Sequence, residues 1–350
     1  MELQIRNGLE PISYEDWEAL WMENPAYKNR KRHWPMGWVL ETSAGEIVGA
    51  IGNIPLAYEF QGRELLATSP CSWAVDATYR RHSLRIISCI TRQKNVDLIV
   101  CTTVGPASEP IWRLLESRVP VGSWDQSGFW ITNRVGFVKS YLRKQSVPLA
   151  GALSYPASGA LFLRDAIVRP SSRLEERDPE PEFCSEFDSR FDEFWEELKR
   201  EKHNTLLAVR SRETLAWHFR PALKRQKIQV LCASNKGRLV AYAIFDRLDR
   251  PDLGLKRVRL VDFQALNGFG DFLQTALSGM LRTCRASGVH VLEVVGGWLN
   301  RPGLPAIRPP HRRKLPAWSY YYKANDSNLR DALKDQGVWE PSAYDGDSSL

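Results

Sequence analysis

The chain has 350 residues, of which 43% are hydrophobic and 25% charged, and its formal net charge is +7 at pH 7. This length accommodates two globular domains, and the near-average composition excludes disordered, fibrous and membrane-embedded classes. The excess of Lys and Arg favours anionic partners, such as phosphorylated cofactors, acidic glycans, nucleic acids and membrane surfaces.

The cysteines and histidines bear on cellular location and on metal binding. Six cysteines are scattered along the chain without a Cys-x-x-Cys pair, as is typical of reduced core thiols in a cytosolic protein. No segment resembles a signal peptide, and no apolar run approaches the roughly 18 residues of a membrane span. The six histidines form neither a His-x-His nor a His-Glu-x-x-His motif. We therefore expect a cytoplasmic protein with no membrane span and no metal site.

Apolar spacing and turn residues predict a definite element order in the first half of the chain. Ser83 is the expected N-cap of a helix that follows a long strand. A polar stretch with several prolines at residues 166–186 is predicted to be a linker. The predicted segments are helices at 14–23, 83–94 and 109–116, a hairpin at 38–60, and strands at 63–75 and 96–103.

This order returns in the second half. The pattern Trp-x-x-x-Pro-Ala begins at Trp21 and again at Trp217, and the turn at Gly45 recurs at Gly237 once a four-residue gap is allowed. Such a recurrence indicates a duplicated domain, whereas the alternative is two unrelated hairpins in one large α/β protein. Duplication predicts two mixed α/β domains with partly antiparallel sheets, at residues 1–165 and 187–350. The later predicted segments are a strand at 256–265, a helix at 271–287 and a strand at 289–295.

The segment Val75-Asp76-Ala77-Thr78-Tyr79-Arg80-Arg81-His82-Ser83-Leu84 joins the first long strand to the next helix. With the element order, it resembles the GNAT superfamily of acyl-CoA N-acyltransferases. The resemblance implies acetyl-CoA or another acyl-CoA as co-substrate and no metal, with Val75 at the strand end. The implied loop for the CoA pyrophosphate consists of Arg80, Arg81, His82, Ser83, Leu84 and Arg85. Ser83 and Arg85 replace the small residues of the family pattern, so the motif is degenerate, and a solvated basic turn is the alternative.

The duplicated arrangement resembles the tandem GNAT proteins, a group that includes the Fem-type peptidyltransferases and bacterial acyltransferases near polysaccharide-biosynthesis functions. This resemblance implies an N-acyltransferase that acts on an amine acceptor, such as an amino sugar or a nucleotide sugar. The alternative is a non-catalytic member that binds or scaffolds through a degenerate CoA site.

The resemblance also implies a base and an acid. In GNAT chemistry a carboxylate or water removes a proton from the amine, and a Tyr often protonates the departing thiolate. Asp76 and Asp262 are candidate bases, because each lies within or directly after a long strand, and Tyr321 is a candidate acid. A hydrogen-bonded structural role for Asp262 and a packing role for Tyr321 remain the alternatives.

A basic, Pro-rich stretch at residues 301–316 provides candidates for acceptor binding. Arg312 and Arg313 are predicted to pair with an anionic small-molecule or glycan acceptor, and Trp318 to pack on its ring. The alternative is a solvated loop. The sequence contains neither a P-loop nor a Gly-x-Ser-x-Gly motif, and we do not expect a nucleic-acid partner.

Overall fold

A computed structural model describes residues 2–9, 12–28, 34–122, 124–168, 181–299, 301, 304, 307–315 and 318–350. Its strands are β1 (Gly37–Glu41), β2 (Ile47–Phe60), β3 (Arg63–Val75), β4 (Leu98–Val104), β5 (Ser117–Arg118), β6 (Gln126–Ile131), β7 (Glu182–Cys184), β8 (Leu207–Ala208), β9 (Ile228–Asn235), β10 (Arg238–Arg247), β11 (Arg257–Ala265), β12 (Val291–Val295), β13 (His311–Lys314) and β14 (Ser319–Ala324). Its α-helices are α1 (Glu2–Arg6), α2 (Tyr14–Met22), α3 (Pro25–Lys28), α4 (Ser83–Thr91), α5 (Glu109–Leu115), α6 (Arg134–Lys144), α7 (Ala150–Val168), α8 (Arg190–Glu201), α9 (Arg212–His218), α10 (Arg220–Lys224), α11 (Phe272–Ala286) and α12 (Ser327–Ala332).

The chain forms two compact units that interleave along the sequence. The first unit comprises residues 1–122, 199–221 and 316–350, and the second comprises residues 123–198 and 222–315. Contiguous domains at residues 1–165 and 187–350 were predicted, whereas the two units draw on interleaved segments. Most of the predicted linker lies outside the described residues, and the part at Glu182–Cys184 is strand β7, which pairs with β9.

The first unit is built on a seven-stranded mixed sheet. Its order is β1-β2-β3-β4-β14-β5, and β8 also pairs with β2. Strands β1, β2 and β3 run antiparallel, whereas β3 and β4 are parallel and joined through α4. Ile86, Ile87 and Ile90 recur on one face of α4 and belong to the hydrophobic core of this unit.

The second unit repeats this arrangement in a seven-stranded sheet of order β13-β6-β12-β11-β10-β9-β7. The hairpin β9-β10 leads into antiparallel β11, and α11 connects β11 to the parallel strand β12. Leu273, Leu277 and Met280 of α11 are fully buried in the core of this unit.

In each sheet, the strand that lies next to the parallel pair comes from the other half of the sequence. β14 pairs antiparallel with β4 in the first sheet, and β6 pairs antiparallel with β12 in the second. This exchange of final strands explains why neither unit is a contiguous stretch of chain. The predicted class, mixed α/β with partly antiparallel sheets, is confirmed.

Candidate functional site

The first sheet opens between its two parallel strands. β3 and β4 pair only through Ala67 with Leu98 and Thr68 with Ile99, although both strands continue well beyond these residues. A bulge in β3 accompanies the separation, because the register against β2 shifts next to Ser72, whose φ is +50°. Separated parallel strands leave backbone donors and acceptors for a ligand or another segment.

The C-terminal tail approaches β4 at this opening. Oγ1 of Thr102 donates to Oδ1 of Asp347 over 2.9 Å, and Oγ1 of Thr103 donates to the same oxygen over 3.3 Å. Gly346 has a φ of +63°, and a Cβ there would lie 2.6 Å from the Thr102 side chain. Glycine thus permits both the turn and the close contact that bring Asp347 to β4.

The carboxyl group of Asp347 is shielded from solvent and is hydrogen-bonded to two hydroxyl groups. Asp347 is half-buried as a residue, but its carboxyl group is enclosed by protein atoms, and burial raises its pKa against the opposing effect of the Thr102 and Thr103 hydroxyls. The pKa of the Cys71 thiol on β3 is raised mainly by burial and further by the charge of Asp347. A carboxyl group with a raised pKa is suited to proton transfer near neutral pH.

A cavity of ≈ 170 Å³ lies beside the tail, within the first unit. Gly346, the neighbour of Asp347, lines it together with Tyr58 of β2. His218 and Tyr344 also line the cavity, with their ring centroids 4.4 Å apart, and Nε2 of His218 is hydrogen-bonded to Oγ of Ser349 over 2.7 Å. The cavity therefore combines aromatic walls with polar groups next to a buried carboxyl, as ligand sites usually do.

The predicted pyrophosphate loop is helical, which corrects the expected loop. Val75 ends β3, and the chain continues as a 3-10 helix at Ala77–His82 that leads directly into α4 at Ser83. The backbone N–H of Ser83 donates to the carbonyl of Arg80, so this donor is used within the turn. His82, rather than the expected Ser83, is the N-cap residue of α4, and it makes no side-chain capping bond.

The side chains of this turn remain suited to an anion. Arg80, Arg81, Leu84 and Arg85 are exposed, whereas Ser83 is buried. Nε of Arg81 donates to Nε2 of His82 over 3.1 Å. Within the described residues, none of the three arginines forms an ion pair with a carboxylate. Their charges lie at the beginning of a helix, where the backbone dipole also favours an anion, so they fit a CoA pyrophosphate.

Each of the three predicted catalytic side chains, Asp76, Asp262 and Tyr321, forms an ion pair or a hydrogen bond with another side chain. Asp76 is ion-paired with Arg6 over 2.6 Å, and hydrogen bonds from Arg6 hold its pKa below the ordinary value. Asp262 is fully buried in β11 and accepts a hydrogen bond from the Tyr242 hydroxyl over 3.1 Å. Tyr321 is buried in β14, and its hydroxyl donates to Glu109 over 3.1 Å. These contacts favour structural roles.

The predicted acceptor residues are divided between the two units. Arg312 and Arg313 lie on β13 in the second unit, where a loop was expected, and Trp318 is a half-buried residue of the first unit. Nη2 of Arg313 is 2.6 Å from Oε1 of Glu293, a buried residue of β12. Both arginines are exposed, but Arg313 neutralises a buried carboxylate.

In the second sheet, aromatic side chains fill the position that corresponds to the opening between β3 and β4. β11 pairs with β12 from Arg257 to Leu260 and then continues to Ala265 paired with β10 but not with β12. Phe263 packs edge to face on Trp298, with ring centroids 5.8 Å apart, and both side chains belong to the core. The first unit is therefore the better candidate for a ligand at the strand opening.

Comparison with known proteins defines the fold. No family model and no curated protein matches the sequence. The structure is similar to Saccharomyces cerevisiae N-myristoyltransferase with bound myristoyl-CoA, at 10% identity and a TM-score of 0.52, over 92% of this chain and 74% of that one. A probable N-acyltransferase from Enterococcus faecalis V583 has 12% identity and a TM-score of 0.52, over 92% of this chain and 68% of that one. A GCN5-related N-acetyltransferase from Kribbella flavida has 11% identity and a TM-score of 0.51, over 93% and 68%. The GNAT-like fold predicted from sequence is therefore confirmed.

The residues that the structure brings together at the tail were not predicted from the sequence. Asp347 and Tyr344 belong to no motif, and His218 lies in the recurring Trp-x-x-x-Pro-Ala pattern at a position that the pattern leaves variable. One signal was available, because residues 335–350 contain Asp345 and Asp347 around a glycine and no Lys or Arg. In the part of the chain that the structure describes, no group of three or more His, Cys, Asp or Glu side chains is arranged to hold a metal ion.

Proposed function

We propose that this protein is an N-acyltransferase that moves an acyl group from acyl-CoA, or a related thioester, to an amine acceptor. The observation that carries the proposal is the enclosed carboxyl of Asp347, placed where β3 and β4 separate in a GNAT-like sheet. The yeast N-myristoyltransferase with a similar fold binds myristoyl-CoA. In this proposal Arg80, Arg81 and Arg85 bind the CoA pyrophosphate, and Asp347 acts as the general base.

The chemistry requires a deprotonated amine beside the thioester carbonyl. Asp347 accepts the proton of the amine, whose nitrogen then forms the amide bond while the C–S bond breaks and CoA leaves as the thiolate. The cavity next to Gly346 accommodates the acceptor amine in this scheme. Asp76, Asp262 and Tyr321 are assigned no step, because each is engaged with a local partner.

The proposed acceptor is a small amine, with an amino sugar or a nucleotide sugar as specific candidates. Arg313 is committed to Glu293 and is not assigned to the acceptor in this proposal. The proposal can be tested by thermal-shift measurements with acyl-CoAs from acetyl to myristoyl, followed by mass spectrometry with a panel of amines. A stabilising acyl-CoA and an acylated amine are expected, whereas the absence of both for every acyl-CoA would contradict the proposal.

Replacement of Arg80 and Arg81 by Ala is expected to weaken acyl-CoA binding by a few kcal/mol, because a charge-assisted bond contributes roughly 1.5–3 kcal/mol. Isothermal titration calorimetry of the double variant measures this loss. Arg92→Ala at the other end of α4 is the matched control and should bind acyl-CoA like the wild type. Unchanged affinity in the double variant would place the CoA site elsewhere.

The alternative function is a non-catalytic GNAT-like protein that binds or scaffolds. It is favoured by the same tail, because a segment of the chain itself occupies the side of β4 at the opening, and by the helical form of the expected phosphate loop. Acyl-CoA binding without any turnover, across the amine panel, would support this alternative.

A further inference from the structure

Helix α7 presents its apolar residues to solvent and its hydroxyl groups to the protein. Ser154 and Ser158 are only 1% and 8% exposed, and each hydroxyl donates to the carbonyl three residues earlier in the helix. This is the reverse of an ordinary surface helix, which buries its apolar side. The large exposed apolar side chains are Leu153 (44%), Tyr155 (69%), Phe162 (51%) and Leu163 (62%).

The exposed side of α7 is continuous. Tyr155 and Phe162 are seven residues apart and therefore lie on one face of the helix. Small or apolar residues fill the positions between them and Leu163, and Arg164 is the only charged residue that is exposed between residues 150 and 165. Contiguous apolar surface of this kind marks a site of contact with a protein or a membrane.

Helix α6, which packs against α7, adds positive charge beside this surface. It carries Arg134, Lys139, Arg143 and Lys144 and no acidic residue. In the described part of the chain, no carboxylate forms an ion pair with any of these four side chains. The guanidinium carbon of Arg134 lies 4.9 Å from the centroid of the exposed Phe162 ring, so a cation borders the apolar face directly.

We propose that α6 and α7 form a docking surface for an anionic lipid bilayer. Tyr155, Phe162 and Leu163, which share one side of α7, insert at the boundary between headgroups and acyl chains, and the cations of α6 bind the lipid phosphates. Apolar insertion and attraction to anionic lipid are the two contributions that hold helices at a membrane surface, and this helix pair supplies both. In this proposal α7 lies along the bilayer surface. Among the residues that the structure describes, no helix is long and apolar enough to cross a membrane.

Co-sedimentation of the full-length protein with vesicles tests this proposal. The wild type should bind vesicles of phosphatidylcholine mixed with phosphatidylglycerol, bind pure phosphatidylcholine far more weakly, and lose binding as salt is added. Phe162→Glu with Leu163→Glu should weaken binding to mixed vesicles by more than about tenfold, because apolar burial is lost and like charge is added. Leu114→Glu is the matched control, since Leu114 is 78% exposed on α5 and lies outside this surface.

A second pair of variants separates charge from apolar contact. Lys139→Glu with Lys144→Glu should reduce binding to mixed vesicles, whereas Arg92→Glu with Lys94→Glu, which changes the net charge equally, should not. Circular dichroism verifies that each variant is folded. Equal binding by the α7 variant and the wild type would overturn the proposal. Absence of vesicle binding, combined with self-association that Phe162→Glu abolishes, would overturn it in favour of an interface between copies of this chain.

Discussion

Replacement of Asp347 by Asn is expected to lower the acyl-transfer rate by about 10²–10⁴-fold, the usual contribution of a general base. Asn preserves an oxygen that accepts from Thr102 and Thr103, so the tail should keep its position. Acyl-CoA binding should therefore be unchanged, and the loss should appear in kcat. Steady-state kinetics together with calorimetry on the same variant measures both quantities.

The same substitution should leave the protein at least as stable at neutral pH. Burial raises the pKa of Asp347, so the folded state disfavours its charged form. Between the unfolded value of about 3.9 and the raised folded value, ionisation of this group progressively reduces the free energy of unfolding. Asn carries no such penalty, so the stability of Asp347→Asn relative to the wild type should increase with pH across this window. The wild-type transfer rate should rise as the pH passes through the raised folded pKa, where the base loses its proton.

Glu116→Gln is the matched control for Asp347→Asn. Burial raises the pKa of Glu116 to about 8, and the thiol of Cys101 donates to its Oε2 over 3.8 Å. Glu116 is thus a second enclosed carboxyl of the first unit, but neither Glu116 nor its chain neighbours line the cavity beside the tail, whereas Gly346, the neighbour of Asp347, does. Transfer activity should survive Glu116→Gln. Activity that survives Asp347→Asn and disappears in Glu116→Gln would assign the base to Glu116 instead.

Replacement of Glu293 by Gln is expected to destabilise the protein by about 3 kcal/mol, because removing one partner of a buried ion pair leaves its counterions uncompensated. The side chain of Glu293 is 3% exposed and forms ion pairs with Arg313 over 2.6 Å and with Arg257 over 3.1 Å. The negative charge of Glu293 also favours the charged form of the buried Arg259. Burial lowers the pKa of Arg259 to about 10, and Asp246 and Glu293 oppose that shift. Urea unfolding monitored by circular dichroism measures the loss.

The destabilisation by Glu293→Gln should depend on pH. Burial raises the pKa of Glu293, but Arg313 and Arg257 outweigh that effect and the pKa is lowered. The carboxylate therefore contributes stability above its unfolded value of about 4.3, and this contribution is lost as pH falls through the lowered folded pKa. Asp331→Asn is the control, because its pair with Lys334 is exposed and such surface pairs contribute about 0–1 kcal/mol. Equal losses in the two variants would contradict the prediction.

Local patterns were sufficient for many elements of the fold. The strand predicted at residues 63–75 has these bounds in the structure, and the helix predicted from Ser83 begins there. Alternating and helical spacing of apolar residues depends only on neighbours in the chain, so it is readable from sequence. Helix α7 was not predicted, because its apolar residues face solvent and its buried positions carry serine, which reverses the usual pattern.

Amino-acid patterns alone predicted the mixed α/β class, the repeated order of elements and the basic segment after Val75. They could not predict which strands pair, since β14 and β4 are separated by more than two hundred residues and no local pattern specifies that pairing. The chemistry of charged side chains was likewise decided by the tertiary structure. Arg313 became a structural residue because Glu293 is buried beside it, and Asp347 became the candidate base because folding encloses its carboxyl next to β4. Desolvation and ion pairing depend on partners that are distant in sequence, and they determine the charge state of a residue more strongly than its neighbours do.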